Sequence, residues 1–243
     1  MILVTGASGF IGRQICPHLE KSGFKLRAFD RSPHKVVEDC VVGNLEDLER
    51  VRVAAKGVNT IIHLAACSDD ADFITQLIPS NVVGLYNLFE AARLEEVRRI
   101  IFASSCQVAD LLDANKKIMV DDRHPTDHYG LTKLWGEDMA RMYSQRWGLS
   151  VLVVRLGWVL RSRRELAHMQ SILGGTRIYL SYRDLQEFFR HCLDADLDSF
   201  SIVYAFSRQV QGELFDMEPT RRLLGFEPID EFPQGLEALS KEM

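Results

Sequence analysis

The stretch MILVTGASGFIG, Met1 to Gly12, decides how this chain folds. Its ILV run is apolar throughout, with none of the alternation of a strand that wets one face, so it reads as a strand buried on both sides. Gly6, Gly9 and Gly12 follow at once, and a helical pattern opens at Phe10. A tight turn from strand to helix calls for backbone of positive φ, and the helix start leaves N–H groups without intrahelical partners. Those N–H groups and the helix dipole attract an anion, while glycine lets a pyrophosphate come close where a Cβ would block it.

Downstream, KLRAFD reads as a second strand, and Asp30 ends it at about the 20-residue distance typical of a ribose-binding carboxylate. A carboxylate there accepts hydrogen bonds from both ribose hydroxyls and repels a 2′-phosphate, which favours NAD; Arg31 beside it leaves NADP open. The alternative for the glycines alone is a tight turn with no ligand. Their strand–turn–helix setting together with Asp30 argues for a dinucleotide.

The same alternation continues. CVVGN, TIIHLAA, RRIIFASS, SVLVVRLGWV, RIYLS and SIVYAF read as strands. Helical patterns cover FIGRQICPHLEKSG, with Pro17 inside, LEDLERVRVAAKG, SNVVGLYNLFEAARLEEV, a stretch from about Asp127 to Trp147, one near 164–173, YRDLQEFFRHCLDA, and one near Pro219–Leu224. Unalternating strands each followed by a helix imply an α/β fold, a doubly wound parallel sheet of Rossmann type. No repeat, linker or low-complexity segment divides the 243 residues, so the expectation is a single domain, 1–243, with a short C-terminal substrate-binding region, mainly 160–243. A polar loop, Cys106 to Thr126 with DANKK at its tip, is a candidate lid.

The net charge of −5 disfavours wholesale binding of nucleic acid or an anionic membrane surface. No apolar run approaches a membrane span, and the strand that starts beside Met1 leaves no room for a signal peptide. Five scattered cysteines, Cys16, Cys40, Cys67, Cys106 and Cys192, lack metal-ligand spacing and read as reduced, mostly buried thiols. The expected setting is cytoplasmic.

HYGLTK places Tyr129 and Lys133 one helical turn apart. A phenol with a pKa of about 10 is a poor base at neutral pH, but an adjacent ammonium stabilises phenolate. Tyr129 could then take an alcohol proton as hydride leaves its carbon, with Ser105, at the end of IIFASS, bonding the same oxygen.

These pieces in this order, VTGASGFIG, Asp30, GNLED, IIHLAA, NVVGLYNLFEAA, IIFASS and YGLTK, resemble the extended short-chain dehydrogenase/reductases, the NAD-dependent epimerase/dehydratase family. The resemblance implies catalytic roles for Ser105, Tyr129 and Lys133, with Asn81 helping to order a proton-relay water. It implies cofactor contacts from Gly6, Ser8, Gly9, Phe10, Ile11 and Gly12, from Asp30 and Arg31, from Asn44 and Leu45 beside the adenine, and from Leu64, Ala65, Ala66, Ser104, Tyr129 and Lys133. Asn44 stands where the family usually has Asp. His63, in the same strand motif, reads as a satisfied core residue. The family also implies a homodimer or higher homo-oligomer through the two long helices, whose apolar stripes allow it.

Longer stretches, among them YGLTKLWGEDMARMYSQRWGLSVLVVRLG and YLSYRDLQEFF, resemble the uronate dehydrogenases within that family. This implies oxidation of a hexuronic acid at C1 with hydride passing to NAD, an anionic small-molecule substrate, and contacts from Ser68, Ser105, Cys106, Gln107 and an arginine. Two positions depart from the pattern. Cys106–Gln107 replaces an Asn-His pair, and the carboxylate-binding arginine falls at Gly174, with Arg177 the nearest. RLGWVLRSRRELAHMQSILGGTR, Arg155 to Arg177, therefore holds the candidate anion clasp, and Arg161, Arg163 and Arg164 compete with Arg177 for that role. A solvated basic face is the plainer reading of each. Two other functions stay open: a sugar-nucleotide epimerase or dehydratase that keeps its NAD bound, and an NAD(H)-binding sensor or scaffold without turnover.

Overall fold

A computed structural model of the chain describes residues 1–68, 71–109, 116–172, 174–197, 199–209 and 212–236. The strands are β1 (Ile2–Thr5), β2 (Leu26–Asp30), β3 (Cys40–Val42), β4 (Thr60–His63), β5 (Arg99–Ser105), β6 (Ser150–Leu156) and β7 (Phe200–Ala205). The helices are α1 (Phe10–Lys21), α2 (Leu48–Ala55), α3 (Gly84–Leu94), α4 (His128–Trp147), α5 (Arg163–Ser171), α6 (Tyr182–Asp194) and α7 (Glu218–Leu224). All seven strands run parallel in one sheet of order β3-β2-β1-β4-β5-β6-β7. This is the doubly wound arrangement, and the order reverses between β1 and β4, where such sheets open a crevice at their C-terminal edge.

Successive residues of one strand feed opposite faces of the sheet. Ile2 and Val4 of β1, Ile101 and Ala103 of β5, and Leu152 and Val154 of β6 pack on one side against Ile15 and Leu19 of α1 and Leu185, Phe188 and Phe189 of α6. Leu3, Ile100, Phe102, Val151 and Val153 pack on the other against Val51 of α2, Leu88 and Phe89 of α3, and Ala140 and Tyr143 of α4. That two-sided burial is why the strands read as unbroken apolar runs. Asp47, Asp127, Ser162 and Ser181 cap α2, α4, α5 and α6 by accepting backbone N–H bonds, each worth about 1 kcal/mol. Pro17 lies inside α1 without ending it.

Two elements differ from their sequence patterns. The helix expected over 80–97 forms α3 from Gly84 to Leu94, but its first residues, 80–83, belong to a π-helix, Phe73–Val83, that runs into it. Leu77 N–H reaches back five residues to the Asp72 carbonyl, and Gly84 N–H likewise to Pro79. Pro79 brings no N–H of its own to a helical ladder. The strand expected at RIYLS is a short 3-10 turn, Gly175–Ile178, followed by a single bridge from Tyr179 to Trp158. Trp158 N–H to Ile178 O (2.6 Å) and Leu180 N–H to Trp158 O (3.0 Å) make that bridge. It exists because Gly157 has no Cβ, which would sit 2.5 Å from the Ile178 carbonyl.

A third apolar cluster binds the segments that leave β5, β6 and β7. It includes Cys106, Ile118, Leu160, Met169, Ile178, Tyr204, Phe206 and Phe215. Tyr204, Phe206 and Phe215 form its centre, with ring centroids 4.4–5.6 Å apart. The segment after β5 is pinned there: Ile118 N–H bonds Leu214 O, Asp216 N–H bonds Ile118 O, and Lys117 pairs with Asp216 at 2.8 Å. Residues 110–115 of the candidate lid, which include the first three of DANKK at its tip, lie outside the described residues.

Candidate active site

Gly6 leaves β1 with φ +71°, and a Cβ on it would lie 2.6 Å from the Ala65 nitrogen. On Gly12 a Cβ would lie 2.3 Å from the Ala7 carbonyl. The turn is thus wrapped as tightly as backbone allows, and the exposed Gly9 stands at the start of α1 with no side-chain cap. Ser8, Phe10 and Ile11 are half-buried around it. Asp30 is fixed at the tip of β2: Ser8 N–H donates to Oδ2 at 2.9 Å and Arg31 N–H to Oδ1 at 2.7 Å. The carboxylate is tied to the turn that would hold the pyrophosphate. An open helix start, a cradle that a Cβ would fill and a preset carboxylate fit a dinucleotide.

The next strands bring the remaining cofactor candidates to the same edge. Leu64 and Ala65 are half-buried after β4, and Ala66 and Ser68 are exposed. Leu45 is buried against Gly84, while Asn44 is exposed and bonds Glu46. Asn81, on the π-helix, is a strut. Its Oδ1 accepts the Cys67 N–H (2.8 Å), and its Nδ2 donates to the Cys67 carbonyl (3.1 Å) and to Thr132 Oγ1 (3.2 Å). Thr132 Oγ1 donates in turn to the Tyr129 carbonyl at 2.8 Å. The loop after β4 is thereby fastened to the helix that carries the tyrosine.

Ser105 ends β5, and its hydroxyl accepts the Gln107 N–H at 3.2 Å. Gly130 lets the start of α4 press onto that turn, since a Cβ there would lie 2.4 Å from the Gln107 carbonyl. Tyr129 is half-buried at this junction, and Lys133 Nζ lies 5.5 Å from its ring centroid. Lys133 is 4% exposed and donates to the Ala103 carbonyl at 2.9 Å. Burial pushes its ammonium down to about 8, against an upward pull from Glu137. The group still carries its proton at neutral pH, and a cation beside the phenol favours phenolate. His63 is a core residue: Thr5 Oγ1 bonds its Nδ1 at 2.7 Å, and burial and then Lys133 bring its pKa down to about 3.

Sequence reasoning missed the pair beneath this trio. Arg155 of β6 and Glu137 of α4 are both buried and joined by two bonds of 2.9 Å. Ser104 Oγ donates to the same carboxylate at 2.6 Å, so its hydroxyl is directed into the interior. The available signal was a Glu one turn beyond Lys133 and an Arg inside an otherwise apolar strand.

The arginines of 155–177 have separate fates. Arg155 is interior, while Arg161 pairs with Glu165 and lies over the Phe10 ring at 5.7 Å. Arg163 and Arg164 are exposed. Arg177 is half-buried and donates to the Gly212 carbonyl at 2.9 Å, which ties it to the segment after β7. Of the two residues after Ser105, Cys106 is 4% exposed within the third cluster, its thiol pushed up to about 12 by burial. That side chain packs; Gln107 is half-buried. Among the described residues no group of His, Cys, Asp and Glu could hold a metal ion, and no helix is long and apolar enough to cross a membrane.

The profile of the NAD dependent epimerase/dehydratase family matches residues 2–171. Uronate dehydrogenase of Pseudomonas putida is 30% identical over 211 residues, covering 85% of this chain and 76% of that protein. L-arabinose 1-dehydrogenase (NAD(P)(+)) of Haloferax volcanii is 27% identical over 250 residues, covering 94% and 96%. Among solved structures, a mutant uronate dehydrogenase from Agrobacterium tumefaciens complexed with NAD superposes with a TM-score of 0.83 at 27% identity, covering all of this chain and 89% of that one.

Proposed function

This chain belongs to the NAD-dependent epimerase/dehydratase family, and from that membership we propose that it is an NAD-dependent dehydrogenase oxidising a sugar acid of the uronate kind. The observation that carries the reading is the meeting of Ser105, Tyr129 and Lys133 at the sheet edge that also holds the glycine turn and Asp30. The relatives named above, which are dehydrogenases of uronates and of a sugar, support it.

The pyrophosphate belongs at Gly6, Ser8, Gly9, Phe10, Ile11 and Gly12, the adenosine ribose at Asp30 with Arg31 alongside, and the adenine near Asn44 and Leu45. Leu64, Ala65, Ala66 and the Ser104 backbone border the rest, and Lys133 and Tyr129 meet the second ribose. NAD, when bound, supplies the hydride acceptor; Arg31 leaves room for NADP. Tyr129, as phenolate, takes the proton of the substrate's C1 hydroxyl. Lys133 lowers the phenol's pKa through its charge, and the Ser105 hydroxyl holds the reacting oxygen in place. Asn81 acts through the loop it braces. Ser68, Gln107 and Arg177 border the sugar, and Arg177 is the candidate partner of its carboxylate.

The chain works as one domain, with the substrate elements mainly in 160–243. It pairs with a second copy through α3 and α4, where Tyr86, Trp135 and Met142 are exposed. A cytoplasmic setting suits its free cysteines. The test is incubation with NAD and matched sugars with and without a carboxylate, and in parallel with sugar nucleotides. NADH accumulating in step with uronate consumption is expected. Isomerised sugar nucleotide without net NADH would replace the dehydrogenase by an epimerase, and tight NAD binding with no turnover would leave a sensor.

A further inference from the structure

Glu137 and Arg155, 2% and 0% exposed, form an ion pair sealed between α4 and β6. A pair so buried adds little stability over apolar side chains of the same volume, so its presence points to another use. Each carboxylate oxygen receives one guanidinium N–H at 2.9 Å, and Ser104 Oγ–H adds a third bond. The other arm of Arg155 donates to the Asp122 carbonyl at 3.0 Å and the Tyr204 hydroxyl at 2.9 Å. The carboxylate is therefore held in one orientation. Along α4, Tyr129, Lys133 and Glu137 follow one another at single-turn spacing. The end of β5 grips both charges: the Ala103 carbonyl takes the ammonium, and the next residue's hydroxyl takes the carboxylate.

We propose that Glu137 is a positioning residue of this active site: locked by Arg155 and Ser104 one turn beyond Lys133, it keeps that buried ammonium charged and aimed at the Ala103 carbonyl and the Tyr129 ring. The proposal rests on Tyr129 and Lys133 being the catalytic pair. Burial alone discharges an interior lysine, and Glu137 is the leading influence that opposes this at Lys133. The other groups facing Lys133 contribute less. His63 of β4 is neutral, Cys67 of the following loop adds a weaker upward pull, β5 presents the uncharged Ala103 carbonyl and Phe102 ring, and the charge of Arg155 is engaged by Glu137. Arg155 also offsets the charge of Glu137 at longer range, which confines the effect to close neighbours.

Glu137→Gln alone would strand a buried guanidinium, so two neutral pairings are made, Glu137→Gln with Arg155→Met and Glu137→Gln with Arg155→Gln; folding of either suffices. Lysine labelled with ¹³C at Cε is titrated by NMR in the cofactor-free protein, and Lys133→Arg assigns the resonance. The expected result is a Lys133 midpoint lowered from about 8 by about one pH unit or more in the neutral pairing, with Glu137→Asp, which keeps the charge, returning it toward the original. In turnover, the alkaline limb of kcat/KM moves down with the midpoint. An unshifted Lys133 in a folded neutral pairing overturns the proposal, as does a Glu137→Asp variant that titrates like the neutral pairing. Because the titration needs neither cofactor nor substrate, a failed sugar assay leaves it readable, and an unshifted lysine leaves the dehydrogenase reading intact.

Discussion

In the proposed mechanism Tyr129 owes its reactivity to a charge that its surroundings work to remove. Lys133 is in the interior, bonded to Ala103, with its pKa lowered from 10.5 to about 8. Two opposite pH effects follow. The free enzyme loses the ammonium above about pH 8, so kcat/KM falls along an alkaline limb there. Between about 8 and 10.5 the unfolded chain binds a proton that the folded chain has released, so this group's contribution to stability rises with pH over the same window. Activity profiles and chemical denaturation across pH 7–10.5 check both signs. Tyr129→Phe removes the proposed base and one hydroxyl at the second ribose, and leaves the glycine turn and Asp30 untouched. Turnover is expected to drop about 10²–10⁴-fold with NAD binding retained by calorimetry. Gly6, Asp30, Tyr129 and Lys133 were legible in the sequence because each lies in a short motif whose spacing sets its geometry. Glu137 and Arg155 were not, because their pairing spans a helix and a strand, and a charged residue in a run of sequence does not announce that it is buried.

Among the elements, the π-helix has the most direct bearing on the site. Its register carries Asn81 to Cys67 and Thr132, and so links the loop after β4 to α4. Asn81→Ala leaves the Cys67 N–H and carbonyl without this partner, at a cost of about 1–3 kcal/mol in urea unfolding. Because Ala65 and Ala66 precede that loop, the KM for NAD is expected to rise with little change in the slope of unfolding. The helical character of 80–97 was readable from its apolar period, but not its wider turn, since the contacts that select a π register come from Thr132 and the β4 loop. RIYLS failed as a strand for a similar reason. Its composition suits a sheet, yet Gly157 and Trp158 offer it one bridge and no ladder.

For the whole molecule, the sheet order and the two-sided core follow from unalternating strands separated by helices, which is why the architecture could be read early. In the C-terminal third the elements α5, α6, β7 and α7 were readable too, but not how they pack, because the third cluster gathers residues from three segments far apart in sequence. The arginine-rich segment shows the same limit: one guanidinium is interior, one sits over Phe10, two are solvated and one is tied to Gly212. Assembly is also a property at this scale. Tyr86→Glu with Trp135→Glu is expected to turn the proposed dimer into a folded monomer by light scattering, and an unchanged dimer mass would move the interface away from α3 and α4. The proposed reaction is net hydride transfer from the C1 carbon of a sugar acid, assisted by Tyr129. The measurement that meets it most directly is turnover of a hexuronic acid deuterated at C1, followed by mass analysis of the cofactor and the sugar. Deuterium is expected in the reduced cofactor and not in the lactone, with both products formed about 10²–10⁴-fold more slowly by Tyr129→Phe. Deuterium retained in an isomerised sugar, or both products at full rate from Tyr129→Phe, would contradict it.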